Sequence, residues 1–415
     1  MDENGRPSLV CTRGQSQPSG VIPPPLMWDV EGHKRQDLYF WLKAVEAVHP
    51  VGKVSVAGHG EMLMLGGYSY LGLCDDPRIR RAAQAAIEQF GTGTHGSRLL
   101  SGTLTLHDQL EQALAAFKHT ADAVVFSTGY VANLSTISAL AQRHDVLLCG
   151  RLSHASILDG GMQALAPLVR FKHNDPADLD RRLRECPPGA RKLVGADAVF
   201  SMDGDILDLP AISQVCRRYG AYLMVDECHA VGVLGTRGTG IEEHFGLPAD
   251  TIDIKMGTLS KAIPSAGGYV AGSKELCVYL RHKARGFIYS GSPTPASVAA
   301  ALEALRIIGA EPERVEALRS KTAFFKQFLR RAGFDLGLSA SPIVPILVGD
   351  ADLAALLARR CQEEGLFIQP ICPPVVPAGT ARLRASVMAT HEYADLTTAA
   401  GTLARCARDL GFLTS

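Results

Sequence analysis

Short apolar runs alternate with amphipathic stretches from about residue 120 to about residue 272, and this alternation restricts the fold more than any other feature. The runs stand at 123–126, 146–149, 168–171, 193–200, 221–225, 252–256 and 268–271, with amphipathic stretches at 131–142, 176–185 and 210–219 between several of them. Strand–helix–strand alternation of this extent dictates an α/β fold: a largely parallel sheet with helices on both faces. In such sheets polar functional groups collect at the carboxyl ends of the strands. The residues that follow each run are therefore where chemistry is expected. A long helical stretch from about 295 to 330 leads into a smaller α/β unit, with strands at 343–348, 366–369 and 382–387 and helices at 351–364 and 393–410. Residues 1–25 are rich in Pro, Gly, Ser and Gln and read as a flexible arm. Residues 26–60 read as a helical lead-in carried by Leu38, Phe40, Trp41, Leu42 and Val45. The expected organisation is thus an arm (1–25), a helical segment (26–60), a large domain (61–295), and a connecting helix with a small C-terminal domain (296–415).

Composition narrows the function classes. The 42 Lys and Arg balance the 42 Asp and Glu, and there is no run of five like charges, which argues against a nucleic-acid partner. No apolar stretch approaches the roughly 18 residues that span a bilayer. The start, Met1-Asp2-Glu3-Asn4, lacks the basic and apolar regions of a signal peptide. The 10 Cys are scattered, with no CxxC pair and no Cys/His zinc spacing. We expect reduced thiols, no metal, and a cytoplasmic protein.

The glycine-rich segment Gly91-Thr92-Gly93-Thr94-His95-Gly96 spells GxGxxG, but a nicotinamide site needs a strand before it. What precedes it is helical, with Ile79, Ala82, Ala83, Ala86, Ile87 and Phe90 at helical spacing. A loop over an active site is the better reading. Two other strand ends carry more chemistry. The run 221–225 ends in Asp226-Glu227-Cys228-His229, and the run 252–256 ends in Gly257-Thr258-Leu259-Ser260-Lys261. One βαβ step separates Asp226 from Lys261, so a carboxylate and a lysine arrive at the carboxyl edges of neighbouring strands. Pyridoxal 5'-phosphate (PLP) uses that pair: a lysine for its Schiff base and an acid for its pyridinium nitrogen. Thr258, Ser260 and the turn Ser127-Thr128-Gly129-Tyr130, which opens a helix, suit a phosphate. His154 follows another strand and is a candidate to stack on the cofactor ring. Arg382 and Arg384 share one strand face by alternation. Either suits a carboxylate, and spacing leaves both open.

These motifs stand in an order that resembles the α-oxoamine synthase family of fold-type-I PLP enzymes. The resemblance covers about residues 40–412. It rests on Tyr68-Ser-Tyr-Leu-Gly-Leu73, Ser97-Arg-Leu-Leu-Ser-Gly-Thr103, Leu106-His107, Ser127-Thr-Gly-Tyr130, Ser153-His-Ala-Ser156 and Phe200-Ser-Met-Asp-Gly-Asp205. It continues through Val225-Asp-Glu-Cys-His229, Gly257-Thr-Leu-Ser-Lys-Ala262, Tyr289-Ser-Gly-Ser292 and Val376-Pro-Ala-Gly-Thr-Ala-Arg-Leu-Arg384. The resemblance implies the PLP-dependent transferase fold type I, with a mainly parallel sheet flanked by helices and a small C-terminal α/β domain. It implies Lys261 as the Schiff-base lysine, Asp226 at the pyridinium nitrogen and His154 on the ring. His229 and Ser201 would lie near the phenolic oxygen, Gly129, Tyr130 and Thr258 at the phosphate, and Arg384 at the amino-acid carboxylate. It also implies a homodimer with shared active sites, the 289–292 loop reaching the partner's phosphate.

The implied reaction is a decarboxylative Claisen condensation of glycine, alanine or serine with an acyl thioester of coenzyme A or a carrier protein. Its rivals are an aminotransferase or lyase of the same fold, or an inactive regulatory subunit. One departure bears on substrate. Where 8-amino-7-oxononanoate synthases carry an Arg before the Pro-Pro of the small-domain loop, this chain has Cys372 before Pro373-Pro374. A thiol cannot replace the bidentate pairing of Arg with a carboxylate. An uncharged, aliphatic acyl group is therefore expected.

Overall fold

The computed structural model describes residues 43–413. Every strand expected between 120 and 272 is present: Asp122–Phe126, Val146–Gly150, Leu168–Phe171, Lys192–Asp197, Tyr222–Asp226, Ile254–Ser260 and Pro264–Gly272. They form one seven-stranded sheet, ordered 122–126, 264–272, 254–260, 222–226, 192–197, 146–150, 168–171. The five strands from 254–260 outward pair in parallel, and Pro264–Gly272 runs antiparallel to both of its neighbours. Strands such as Val146–Gly150 are buried along their whole length, as expected for a sheet covered on both faces. Their side chains, among them Val124, Leu147, Met224 and Val270, pack with Ile137 and Ile157 from the covering helices into a continuous core.

Local chemistry sets where the helices begin. Asp76, Thr128, Asp175, Asp208, Ser273, Thr294 and Asp350 each accept a hydrogen bond from a first-turn N–H. Such a cap contributes about 1 kcal/mol. The helical stretch after 295 is two helices, Pro295–Ala310 and Glu313–Arg331, interrupted at Pro312. The C-terminal unit holds a three-stranded antiparallel sheet with Ala381–Ser386 between Ile343–Gly349 and Gln369–Ile371.

Two expectations are corrected. The helical lead-in over 26–60 is not helical where it is described: Val45–His49, Lys53–Val56 and Gly60–Met64 form an antiparallel meander. The β-branched Val45, Val48, Val54 and Val56 favour extended backbone, and Val54 and Val56 are buried while Lys53 and Ser55, which alternate with them, are not. Residues 26–42, which carry most of the helical signal, lie outside the described residues, as does the arm over 1–25. The strand expected at 366–369 divides. Leu366–Phe367 pairs in parallel with Gly60–Met64, while Gln369–Ile371 joins Ala381–Ser386. Among the described residues no helix is long and apolar enough to cross a membrane.

Candidate active site

The carboxyl ends of the parallel strands converge on one place. Asp197 and Asp226 close adjacent strands and lie in register, and Asp226 is also paired with Met256. Lys261 follows the strand Ile254–Ser260, His154 caps the helix Ala155–Gln163, and His229 stands in the turn after Asp226. Their mutual electrostatics show how closely they gather. The Lys261 ammonium lowers the affinity of both His154 and His229 for a proton, after the larger effect of burial. His229 also feels Arg384 and His154, and it is held well below the usual histidine range. Burial first, and then the neighbouring Asp226 charge, pushes the Asp197 carboxyl well above the usual carboxylate range. Two buried carboxyls this close do not both ionise readily.

Asp226 has partners for both oxygens. Oδ1 accepts from the Cys228 N–H at 2.9 Å, and Oδ2 accepts from Asn133 Nδ2 at 2.7 Å. Asp197 accepts from the backbone N–H of His154 at 3.1 and 3.3 Å, which anchors the start of that helix. Tyr130 hydrogen-bonds Asp159, and its ring lies edge-on to His154 with centroids 6.4 Å apart.

A cradle for an anion lies at the start of the helix Gly129–Leu140. Thr128 takes the N–H of Val131, which leaves the Gly129 and Tyr130 N–H groups outside the helix's own ladder. A Cβ at Gly268 would come within 2.6 Å of the Gly129 backbone, and one at Gly129 within 3.1 Å of Thr258. Only glycine permits this approach of helix to strand. The Thr258 hydroxyl, 2.9 Å from Ser260 Oγ, donates to the Gly267 carbonyl at 3.0 Å. Donors of this kind around a helix start suit a phosphate.

The two arginines differ in their partners. Arg382 is committed: Nη1 pairs with Asp203 at 2.5 Å and donates to the Met202 carbonyl, while Nε donates to the Thr380 carbonyl. Arg384 is only 8% exposed. Its Nε donates to the Ser201 carbonyl at 2.7 Å and Nη1 to Ser386 Oγ at 3.1 Å. Among the described residues no carboxylate pairs with it. A buried cation in that state is unstable unless an anion completes it.

The aminotransferase class I and II family model matches residues 61–403. An 8-amino-7-oxononanoate synthase of Geobacter sulfurreducens is 47% identical over 384 residues, 92% of this chain and 97% of that protein. A serine palmitoyltransferase of Bacteroides ovatus is 42% identical over 356 residues, 86% of this chain and 90% of the relative. The chain belongs to the α-oxoamine synthase branch of the class I and II aminotransferases. A solved variant of the serine palmitoyltransferase from S. paucimobilis, with a bound PLP–myriocin aldimine, superposes on this α-oxoamine synthase with a TM-score of 0.89. It is 36% identical, covering 92% of this chain and 96% of that one.

Four residues around the candidate site had no role assigned from the sequence, although Tyr70 and Ser156 stand inside its motifs. Tyr70 is fully buried, and its hydroxyl lies 2.7 Å from His229 Nδ1. Burial, opposed by Arg384, pushes its hydroxyl up to about 12. Asn133 and Ser156 sit on helices, and Asp197 closes a strand. For Asp197 a signal existed: it is the one charged residue inside the apolar run 193–200.

Proposed function

We propose that the chain condenses a small α-amino acid with an acyl thioester, releasing carbon dioxide and free thiol and yielding an α-aminoketone. The observation that carries this reading is the buried, carboxylate-free Arg384, whose charge reaches His229 in the cluster that also holds Lys261, Asp226 and His154. The residues fit pyridoxal 5'-phosphate: an anion cradle at Gly129, Tyr130 and Thr258, a lysine past one strand, and a carboxylate closing the next. When bound, the cofactor supplies an electron sink for negative charge at the amino acid's Cα. Lys261 would hold the cofactor covalently, and Asp226 would keep the proton on its ring nitrogen. His154 would stack on the ring, and His229 and Ser201 would flank its phenolic oxygen. Arg384 binds the amino-acid carboxylate and orients the Cα–H bond. Once the amino acid's own amine has displaced it from the cofactor, the freed Lys261 amine would remove that proton as a general base. His154 and His229 assist the acyl step. Residues 61–295 form the cofactor-holding domain and 296–415 the smaller one that supplies Arg384. The working form is a homodimer.

The acyl chain is uncharged. Cys372 follows the strand Gln369–Ile371, and its thiol is pushed up by burial and then by the Asp352 and Asp350 carboxylates. A carboxylate arriving there would meet negative charge rather than a cation. Of the basic residues His49 and Arg98 that could stand in for the missing arginine, Arg98 is held by Glu111 at 2.9 Å. The test is mass spectrometry of products from glycine, alanine and serine, each offered with a straight-chain acyl thioester and its ω-carboxy analogue. An α-aminoketone from the straight chain is expected, with the ω-carboxy analogue used poorly. Preference for the ω-carboxy substrate would overturn the acyl assignment, and no aminoketone from any pair would overturn the function.

A further inference from the structure

Asn133 and Ser156 join the two residues on which the proposed chemistry most depends. Asn133 is 1% exposed, one turn into the helix Gly129–Leu140. Its Nδ2 donates to Asp226 Oδ2 at 2.7 Å and to Ser156 Oγ at 2.9 Å. Ser156 Oγ lies 2.7 Å from His154 Nδ1, and the Ser156 backbone N–H donates to that same nitrogen at 3.3 Å.

The direction of each proton along this chain is determined. A carboxylate oxygen only accepts, so Asp226 requires the amide nitrogen of Asn133 on its side. The opposite orientation would set Asn133 Oδ1 against the carboxylate. Oδ1 is buried without a hydrogen-bond partner, so no donor elsewhere competes for the amide's orientation. The second N–H of Asn133 occupies a lone pair of Ser156 Oγ. The hydroxyl proton of Ser156 is then directed to His154 Nδ1, its other neighbour. A backbone N–H can only donate, and it also points at Nδ1. Two donors on Nδ1 place the single proton of a neutral imidazole on Nε2.

We propose that Asn133 and Ser156 are positioning residues that let the Asp226 carboxylate dictate the tautomer of His154, fixing it as the Nε2–H form. Desolvation of the ring lowers its affinity for a second proton, with Asp226 opposing and Lys261 acting in the same sense. His154 thereby presents a donor at Nε2 and cannot take a proton there. Its part in the acyl step, which rests on the function proposed above, is to hydrogen-bond an oxygen that gains negative charge, not to act as a base.

The test is 15N NMR of the cofactor-loaded full chain labelled at histidine, the His154 signals being those lost in His154→Asn. The wild type should show a protonated Nε2 and an unprotonated Nδ1. Ser156→Ala should lose this single-tautomer signature while keeping the cofactor's visible absorbance, and Asn133→Ala should weaken the signature in the same direction. A wild type with its proton on Nδ1, or a Ser156→Ala protein with an unchanged tautomer, would overturn the proposal. The wild-type spectrum decides alone if the variants do not fold. A protein with the expected tautomer that binds no cofactor would instead overturn the function proposed above and leave the hydrogen-bond chain standing.

Discussion

Arg384 and Arg382 differ by one partner each, and that difference separates function from structure. Alternation along Ala381–Ser386 puts both side chains on one face, and nothing local distinguishes them. Asp203, remote in sequence, neutralises Arg382, while Arg384 meets only carbonyl and hydroxyl oxygens. Lys261, Asp226, His154 and His229 were legible because each follows an apolar strand, where the fold concentrates chemistry. Tyr70 and Ser156 stand inside recognisable motifs but with no role legible there, and Asn133 gives no signal, because Tyr70 and Asn133 meet their partners on distant strands and turns. A hydrogen bond to a charged group contributes about 1.5–3 kcal/mol. Arg384→Leu should therefore raise KM for the amino acid roughly 10–100-fold and leave the cofactor's absorbance spectrum unchanged. A KM within twofold of wild type in steady-state assays would remove Arg384 from the carboxylate site.

Elements that bury a whole strand or one helical stripe were readable, since period and length both report them. The short edge strands at 45–64 and 366–371 were not. Their pairing, Leu366 with Leu63 and Gln369 with Arg384, is set by tertiary partners rather than by local pattern. The turn that carries His229 depends on a further non-local feature. Glu227, between Asp226 and Cys228, is fully buried and pairs with Lys118 at 2.7 Å. It also accepts the Ile241 N–H at 3.0 Å. A second buried pair, Lys255 with Glu242 at 2.6 Å, lies alongside, Lys255 donating to the Lys118 carbonyl. Removing one member of such a pair leaves the other charge buried, which costs about 3–5 kcal/mol. Lys118→Met should lower the free energy of unfolding by that amount in denaturant titrations. A loss below about 1 kcal/mol, the usual worth of an exposed pair, would mean that the network does not hold the turn.

At the scale of the molecule, an apolar surface stands uncovered among the described residues. Leu99, Leu100 and Tyr289 are 69%, 80% and 75% exposed. They belong to two loops that the structure brings together, through the Ser97–Gly291 bridge and a hydrogen bond from Ser292 Oγ to the Gly96 carbonyl at 3.3 Å. Exposed side chains of this size, clustered on touching loops, mark an interaction face. Sedimentation should give a homodimer, and Leu100→Glu should shift it toward monomer. A fully active wild-type monomer would contradict a shared site. The central claim is that one site joins an amino acid to an acyl group and discards the amino acid's carboxylate. Its most direct test follows amino acids labelled at the carboxyl carbon, incubated with the cofactor-loaded protein and an acyl thioester. The account predicts that the label leaves as carbon dioxide in equal amount with free thiol, and only when both substrates are present. Label retained in a keto acid, with the thioester intact, would show an amino-group transfer instead and contradict it.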